Sequence, residues 1–232
     1  MRAEVESLGQ QTLHRAVRIE DRFHAWRERR GRRRGLVPTV IPYTGYGAPG
    51  WARILGRVVL ARPNASAVQR AAKVRGWRSF VSIPTARERV VATIGGRIFE
   101  VVADRGGVVD ARVEITLSPG WHTVTLDVDG SDPVEAFVFV IDPAERLGLL
   151  SDIDDTVMVT ALPRPFLAAW NTFVLDEHAR RPVPGMAVLY DRIRRRYPGA
   201  PVTYLSTGAW NVAPTLRRFL ERNLYPAGPL LL

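Results

Sequence analysis

Short runs rich in β-branched and aromatic residues alternate with turn signals between Trp51 and Val140. Gly-Gly, Asp-Gly and Pro-Gly steps between the runs favour tight hairpins, and the region has no helical pattern. This pattern of short strands and turns predicts an antiparallel β-sandwich of immunoglobulin-like size. Its seven predicted strands are Ile54–Ala61, Trp77–Ile83, Glu88–Ile94, Arg97–Ala103, Val108–Leu117, His122–Val128 and Pro133–Val140.

The pattern changes after residue 143. Leu147–Leu150 is an apolar run typical of a buried strand, residues 186–197 have amphipathic helical spacing, and Val202–Leu205 predicts a second strand ahead of a helix. A strand, a crossover helix and a parallel strand form a βαβ unit. We therefore predict an incomplete Rossmann-like α/β domain with a further strand near residue 230. The predicted apolar face of its first helix consists of Met186, Val188, Leu189 and Ile193.

The segment ahead of the sandwich is basic. Apolar residues between positions 3 and 28 approximate one helical face. Six arginines follow next to Phe23 and Trp26, which is typical of an amphipathic element that lies on anionic bilayers or grips phosphate backbones. A solvated arm is the alternative. The six are Arg27, Arg29, Arg30, Arg32, Arg33 and Arg34.

These patterns divide the chain into three parts. Residues 1–50 are a basic helix with an extended connector at 36–50, residues 51–143 the β-sandwich, and residues 144–232 the incomplete α/β domain. The predicted fold class is therefore all-β followed by α/β. Prolines on both sides of residues 166–179 predict an insertion that either closes over the site as a lid or packs in the core.

The predicted strand at Leu147–Leu150 runs directly into acidic and hydroxyl side chains. Carboxylates at this density repel one another unless a cation or a phosphate-handling reaction uses them. Asp152 and Asp154 project to the same side of an extended chain, so that one can attack a substrate while the other transfers a proton. The alternative is a solvated acidic turn that caps the next helix. The cluster consists of Asp152, Asp154, Asp155 and Thr156.

A second polar cluster, Ser206-Thr207-Gly208, follows the strand predicted at Val202–Leu205. Hydroxyl groups and backbone amides between a strand and a helix form a phosphate pocket. A helix cap is the alternative. The acidic cluster upstream favours the phosphate pocket.

Charge and composition narrow the class of function. The formal net charge of the 232 residues is +10, nearly all of it from arginine, since Lys73 is the only lysine. Such a chain attracts nucleic acid or acidic lipid headgroups. It has no cysteine, which excludes a disulfide framework, a thiol nucleophile and a Cys-ligated metal. Because no apolar run is long enough to span a membrane or to act as a signal peptide, we expect a cytoplasmic protein that can bind a membrane peripherally.

The string Asp-Ile-Asp-Asp-Thr after an apolar strand resembles the nucleophile motif of the haloacid dehalogenase superfamily. This resemblance implies that Asp152 forms an aspartyl-phosphate and that Asp154 is the general acid and base. It also implies that Mg²⁺ is the cofactor, held by Asp152 and by the backbone carbonyl of Asp154. The residues that it implies for substrate binding are Thr156, Ser206, Thr207 and Gly208.

Three segments together resemble the phosphatidate phosphatase catalytic-domain family of that superfamily: SDIDDTV (151–157), LAAWNTFVLDEHARRPVPGM (167–186) and TYLSTGAWNVAPTLRRFLERNLYPAGPLLL (203–232). PYTGYGAPGW (42–51) and GWRSF (76–80) are similar to its bacterial members, which carry a sandwich ahead of the catalytic domain. The resemblance implies a Mg²⁺-dependent phosphatase that acts on a phosphorylated small molecule or lipid, with phosphatidate as the expected substrate.

The chain departs from the superfamily's pattern in one respect. The superfamily needs a basic residue, usually lysine, and an acidic pair downstream of the serine motif, whereas beyond Ser206 this chain has no lysine, no aspartate and one glutamate, Glu221. On this resemblance we expect a C-terminally truncated chain that is inactive as a fragment and active as the full-length protein. The alternative function is a non-catalytic module that binds an anionic membrane or, less favoured, nucleic acid through the arginine-rich arm.

Overall fold

The computed structural model describes residues 22, 24–63, 83–159 and 181–232. Residues 24–33 form a helix, α1. The helix predicted over residues 3–28 can therefore be followed only from residue 22. Of the predicted strand Trp77–Ile83 only Ile83 is described, and the predicted insertion at 166–179 lies outside the described residues.

Eight strands among the described residues form the main sheet. They are β1 (Val37–Ala48), β2 (Gly50–Ala61), β3 (Ile83–Pro84), β4 (Arg89–Ile94), β5 (Arg97–Val102), β6 (Val108–Ile115), β7 (Gly120–Asp127) and β8 (Val134–Val140). Their order is β3-β2-β1-β8-β7-β4-β5, and β6 pairs with β2 on the same side as β3. The strands predicted from the hydrophobic pattern between residues 88 and 140 are confirmed, with their ends shifted.

The turn between β4 and β5 shows why the glycine signals were informative. Gly95 and Gly96 connect Ile94 directly to Arg97, and both have positive φ angles, 55° and 75°. A two-residue hairpin of type I′ requires positive φ at both central positions, which glycine adopts without a steric penalty. The tight hairpin predicted at this Gly-Gly pair is confirmed.

One cluster of aliphatic side chains fills the inside of the curled sheet. Side chains alternate between the two faces of a strand, so that Ala52, Ile54 and Val58 of β2 point inward while Leu55 between them points outward. Val90, Ala92 and Ile94 of β4 do the same. Burial of this apolar surface supplies the main stabilisation of the sheet, at about 25 cal/mol per Å².

The predicted antiparallel sandwich is wrong, because β1 joins the strands into a single mixed sheet. β1 pairs antiparallel with β2 and, at Gly45–Gly47, parallel with β8. The connector predicted at 36–50 is thus a 12-residue strand. Its prolines are tolerated because β8 pairs only with the part of β1 that follows them. A Cβ at Gly45 would collide with the carbonyl oxygen of Arg53, so glycine permits the close approach to β2.

The predicted Rossmann-like α/β domain is wrong as well. Among the described residues, the C-terminal part has a parallel sheet of three short strands, β9 (Leu149–Asp152), β12 (Val202–Leu205) and β13 (Leu230–Leu231), in the order β13-β12-β9. A separate antiparallel pair consists of β10 (Met158–Val159) and β11 (Arg181–Pro182). Strands of two to four residues form a sheet that is too small for helices to pack across both of its faces. The described chain as a whole is mostly β. The helices described in this part are α2 (Met186–Arg196) and α3 (Ala213–Arg222).

The C-terminal part completes its core against the outer face of the main sheet. Tyr43 of β1 and Leu55 of β2 belong to the same buried cluster as Ile153, Tyr204 and Leu216. β2 is therefore buried on both faces, by the inner core of the sheet and by the C-terminal part. The main sheet and the C-terminal strands consequently support one another.

The apolar face predicted for α2 is partly wrong. Val188 and Leu189 are 57% and 48% exposed, whereas Tyr190 is 3% exposed. Tyr190 is buried because its hydroxyl forms a 2.6 Å hydrogen bond with Ser151 Oγ and its ring packs edge-on against Tyr225. No helix in the described ranges is long and apolar enough to cross a membrane.

Candidate functional site

The two polar clusters predicted from the sequence follow neighbouring parallel strands. In the register of β9 with β12, Asp152 lies opposite Leu205, and the Ile153 N–H donates to the Leu205 carbonyl at 2.9 Å. The carboxyl ends of parallel strands lie at the same edge of a sheet. The acidic cluster after β9 and the Ser206 cluster after β12 are therefore side by side.

A chain of hydrogen bonds links the two clusters. Ser206 Oγ donates to Asp154 Oδ2 at 3.2 Å, and the Gly208 N–H donates to Ser206 Oγ at 3.1 Å. Since the hydroxyl oxygen accepts from Gly208, its proton is directed towards the Asp154 carboxylate. A Cβ at Gly208 would lie 3.3 Å from Ser206 Oγ and 3.0 Å from Val212 Cγ2, so the loop leaves little room for a side chain there.

The acidic cluster is held in a tight turn. Asp155 has a φ of 61°, which aspartate tolerates better than most residues, and its N–H donates to the Met158 carbonyl at 2.8 Å. The N–H groups of Val157 and Met158 both donate to the Ile153 carbonyl at 3.0 Å. The turn leads into β10, so in the part of the chain described here these acidic residues do not cap a helix.

The predicted site residues differ in their access to solvent. Asp152 and Asp155 are exposed, whereas Asp154 is half-buried and Ser206 is buried. Asp152 is therefore the accessible carboxylate and Asp154 the one held by the protein. Two further predicted site residues do not join the hydrogen-bond chain among the described residues: Thr156, half-buried in the turn, and Thr207, which is exposed.

The cap interpretation of Ser206-Thr207-Gly208 is wrong. Helix α3 begins after Val212, whose side chain makes no cap hydrogen bond, and a 3₁₀ turn at Trp210–Val212 separates α3 from the serine. Ser206 instead uses its hydroxyl within the site. The interpretation as a phosphate pocket stays a prediction.

A layer of buried tyrosines behind the site was not predicted. Ser151 Oγ and the Tyr190 hydroxyl are hydrogen-bonded, and the Tyr225 hydroxyl donates to the Val157 carbonyl at 3.0 Å. Burial, reinforced by the neighbouring Tyr190, raises the pKa of Tyr225, so it remains a donor well into the alkaline range. Through these two hydrogen bonds the tyrosines hold β9 and the acidic turn in place.

A second unpredicted contact joins the main sheet to the loop after Ser206. The rings of Tyr43 and Trp210 stack with centroids 5.3 Å apart, and the Tyr43 hydroxyl donates to the Trp210 carbonyl at 3.0 Å. Burial raises the pKa of Tyr43, although the nearby Arg57 opposes the shift, so the hydroxyl stays protonated. Tyr43 thus fixes the far end of the loop that carries Ser206 and Gly208.

The predicted Mg²⁺ ligands can be compared with the donor atoms of the described residues. Carboxylate and carbonyl oxygens at Asp152 and Asp154 are the ligand type that Mg²⁺ prefers. Within the described ranges, however, no three or more His, Cys, Asp or Glu side chains are grouped so that they could hold a metal ion. Mg²⁺ as the cofactor therefore stays a prediction.

Fold and site together define a mostly β protein with carboxylates and a serine at the ends of two parallel strands. Residues 147–232 match the family described as phosphatidate phosphatase APP1, catalytic domain, which supports that family for the C-terminal part. No curated protein matches the chain. Among solved structures, the chain is similar to a carbohydrate acetylesterase from Xanthomonas citri, at 13% identity and a TM-score of 0.29, over 50% of this chain and 21% of that chain. That likeness carries no argument about fold or function.

Proposed function

We propose that the protein is a phosphatase that hydrolyses the phosphomonoester of a lipid, with phosphatidate as the substrate. The matched family is a phosphatidate phosphatase catalytic domain, and the matched residues 147–232 include Asp152, Asp154 and Ser206. The name of that family suggests the class of reaction. The identity of the lipid in this chain is our proposal.

The observation that carries the proposal is the placement of an accessible carboxylate beside a hydrogen-bonded one. Asp152, at the end of β9, is exposed and can be reached by a substrate. Asp154, two residues later, is held by Ser206 Oγ. Hydrolysis through a covalent intermediate needs a nucleophile and a separate group that moves protons, each in a fixed place.

The proposed reaction has two steps. In the first, an oxygen of the Asp152 carboxylate attacks phosphorus, the bond to the diacylglycerol oxygen breaks, and Asp154 as the acid gives its proton to that oxygen. In the second, Asp154 as the base takes a proton from water, which attacks phosphorus and releases inorganic phosphate with the free Asp152 carboxylate. We propose that on substrate binding the Ser206 hydroxyl turns its one proton from Asp154 to a phosphoryl oxygen, and that N–H groups of the following loop donate as well.

The charge of the site requires a cation. The Asp152 and Asp155 carboxylates would repel a phosphate dianion, and we propose Mg²⁺ as the cofactor that neutralises it when bound. The Asp152 carboxylate and the backbone carbonyl of Asp154 would hold it. Because the described residues supply only this part of a shell, no step of the reaction is assigned to the ion.

A phosphate-release assay of the full-length gene product tests the proposal. We expect phosphate release from phosphatidate in detergent micelles that is faster than from glycerol 3-phosphate, is lost with EDTA and returns with Mg²⁺. The alternative function, a non-catalytic module that binds anionic surfaces, predicts no release from any phosphomonoester. That result with a folded protein would contradict the proposal.

A further inference from the structure

Helix α1 is docked on the main sheet. Its buried Gly31 is so close to the sheet that a Cβ there would lie 2.6 Å from Leu60 Cδ1 and 3.1 Å from Ile83 Cδ1. Residues 24, 27 and 28, which precede Gly31 by seven, four and three positions, are half-buried. This spacing puts all four on one face of the helix.

An ion-pair network fixes α1 in place. Arg32 contacts Glu28 on its own helix at 3.0 Å and Glu88 in the segment before β4 at 2.7 Å. The arginine-rich segment is therefore part of a helix packed on the sheet and not a solvated arm. Arg32, one of its six arginines, forms ion pairs that hold the helix there. The backbone positions of the remaining arginines of α1 are therefore held relative to the sheet.

The opposite side carries the exposed side chains Trp26, Arg29, Arg30 and Arg33 of α1 and Arg22 just ahead of it, which we name the arginine face. Their spacing of four, seven, eight and eleven residues from Arg22 puts them on one side of a helix. Trp26 is 56% exposed, and the Arg30 guanidinium lies 5.7 Å from the centre of its ring. The face is therefore a stripe of four cations with one indole among them.

We propose that the arginine face binds the surface of an anionic lipid membrane. Guanidinium groups bind phosphate oxygens through two parallel hydrogen bonds. An exposed tryptophan among them suits the headgroup level of a bilayer, where an indole has one apolar and one wet side. The same arginines would also attract nucleic acid, but the exposed Trp26 indole in the middle of the face favours lipid.

Binding through this face makes the protein a peripheral membrane protein. The face lies on α1, apart from the site after β9 and β12, so attachment and catalysis use different residues. The inference does not depend on the proposed phosphatase activity. If that activity is real, attachment holds the enzyme on the surface in which a lipid substrate diffuses.

Co-sedimentation with vesicles tests the arginine face. The full-length gene product is mixed at low salt with vesicles of phosphatidylcholine, with or without phosphatidylserine. We expect binding only to the anionic vesicles, and the triple variant Arg29→Ser, Arg30→Ser, Arg33→Ser should bind on the order of 100-fold more weakly, at roughly fivefold per charge. The triple Arg→Lys variant at the same positions keeps the charge but loses the paired hydrogen bonds, so its binding should lie between that of the wild type and that of the serine variant.

A matched control separates this face from the general positive charge. The triple variant Arg192→Ser, Arg195→Ser, Arg196→Ser removes the same charge from exposed positions on α2 and should bind nearly as well as the wild type. Equal losses in both serine variants would overturn the proposal. So would a loss of binding to double-stranded DNA, but not to vesicles, in the α1 variant. Asp152→Asn should leave vesicle binding unchanged whether or not it affects activity.

Discussion

Replacing Asp152 by asparagine is expected to lower kcat for phosphate release from phosphatidate by at least about three orders of magnitude. Asparagine has nearly the same shape but cannot form an acyl phosphate. The backbone around it should not move, because the Ile153 N–H remains bonded to the Leu205 carbonyl and the Ser206–Asp154 bond does not involve Asp152. The measurement is the steady-state rate with saturating lipid and Mg²⁺.

Asp155→Asn is the matched control for that variant. It removes the same charge from an exposed carboxylate three residues away, at a φ of 61° that asparagine also tolerates. We expect its kcat to stay within about tenfold of the wild type, the range of an indirect electrostatic effect. Equal losses in both variants would mean that general charge, and not a nucleophile at Asp152, determines the rate.

Replacing Tyr43 by alanine is expected to destabilise the protein by about 3–5 kcal/mol, the usual cost of removing a buried aromatic side chain. Tyr43 is 6% exposed, stacks on Trp210 and donates to its carbonyl group. Loss of this contact should also release the loop that carries Ser206, so kcat/KM should fall as well. Urea unfolding and phosphate release measure the two effects.

Two variants make the Tyr43 result interpretable. Tyr43→Phe keeps the stack and loses only the hydrogen bond, at an expected cost of about 1 kcal/mol. Tyr46→Ala removes a tyrosine of the same strand whose ring packs edge-on against Trp51 instead, so it should leave kcat/KM nearly unchanged. A fall in kcat/KM that is as large for Tyr46→Ala as for Tyr43→Ala would show that Tyr43 does not position the loop.

The strands of the main sheet were predictable where a turn motif or the alternation of apolar and polar residues marks them locally. Gly95-Gly96 and the alternation in β4 and β8 depend on neighbouring residues, and these elements are where the pattern puts them. β1 was not predictable as a strand, because its prolines read as loop signals and its place depends on pairing with β8, about 90 residues away. That long-range pairing is also why one mixed sheet replaces the predicted sandwich.

The sequence predicted the polar residues of the site but not the tyrosines that hold the surrounding backbone in place. Asp152, Asp154 and Ser206 each follow an apolar strand, and the parallel pairing of β9 with β12 puts the two clusters together. Tyr43 could not be assigned to the site, because it is 167 residues from Trp210 and its neighbours suggested a connector. Tyr190 was missed because Leu189 is more apolar and was therefore the predicted core residue. Tyr190 can be buried instead because the Ser151 hydroxyl is a hydrogen-bond partner for its phenol.

Trapping of the covalent intermediate tests the proposed nucleophile most directly. The full-length gene product is quenched with acid during turnover of phosphatidate and reduced with borohydride, which converts the acyl phosphate of an aspartate into homoserine. Mass spectrometry of the peptide that contains residues 147–160 then shows which side chain carried the phosphoryl group. The account predicts homoserine at position 152, only when substrate is present and never in Asp152→Asn. Turnover that leaves Asp152 unmodified, or that places homoserine at position 154 or 155, would contradict it.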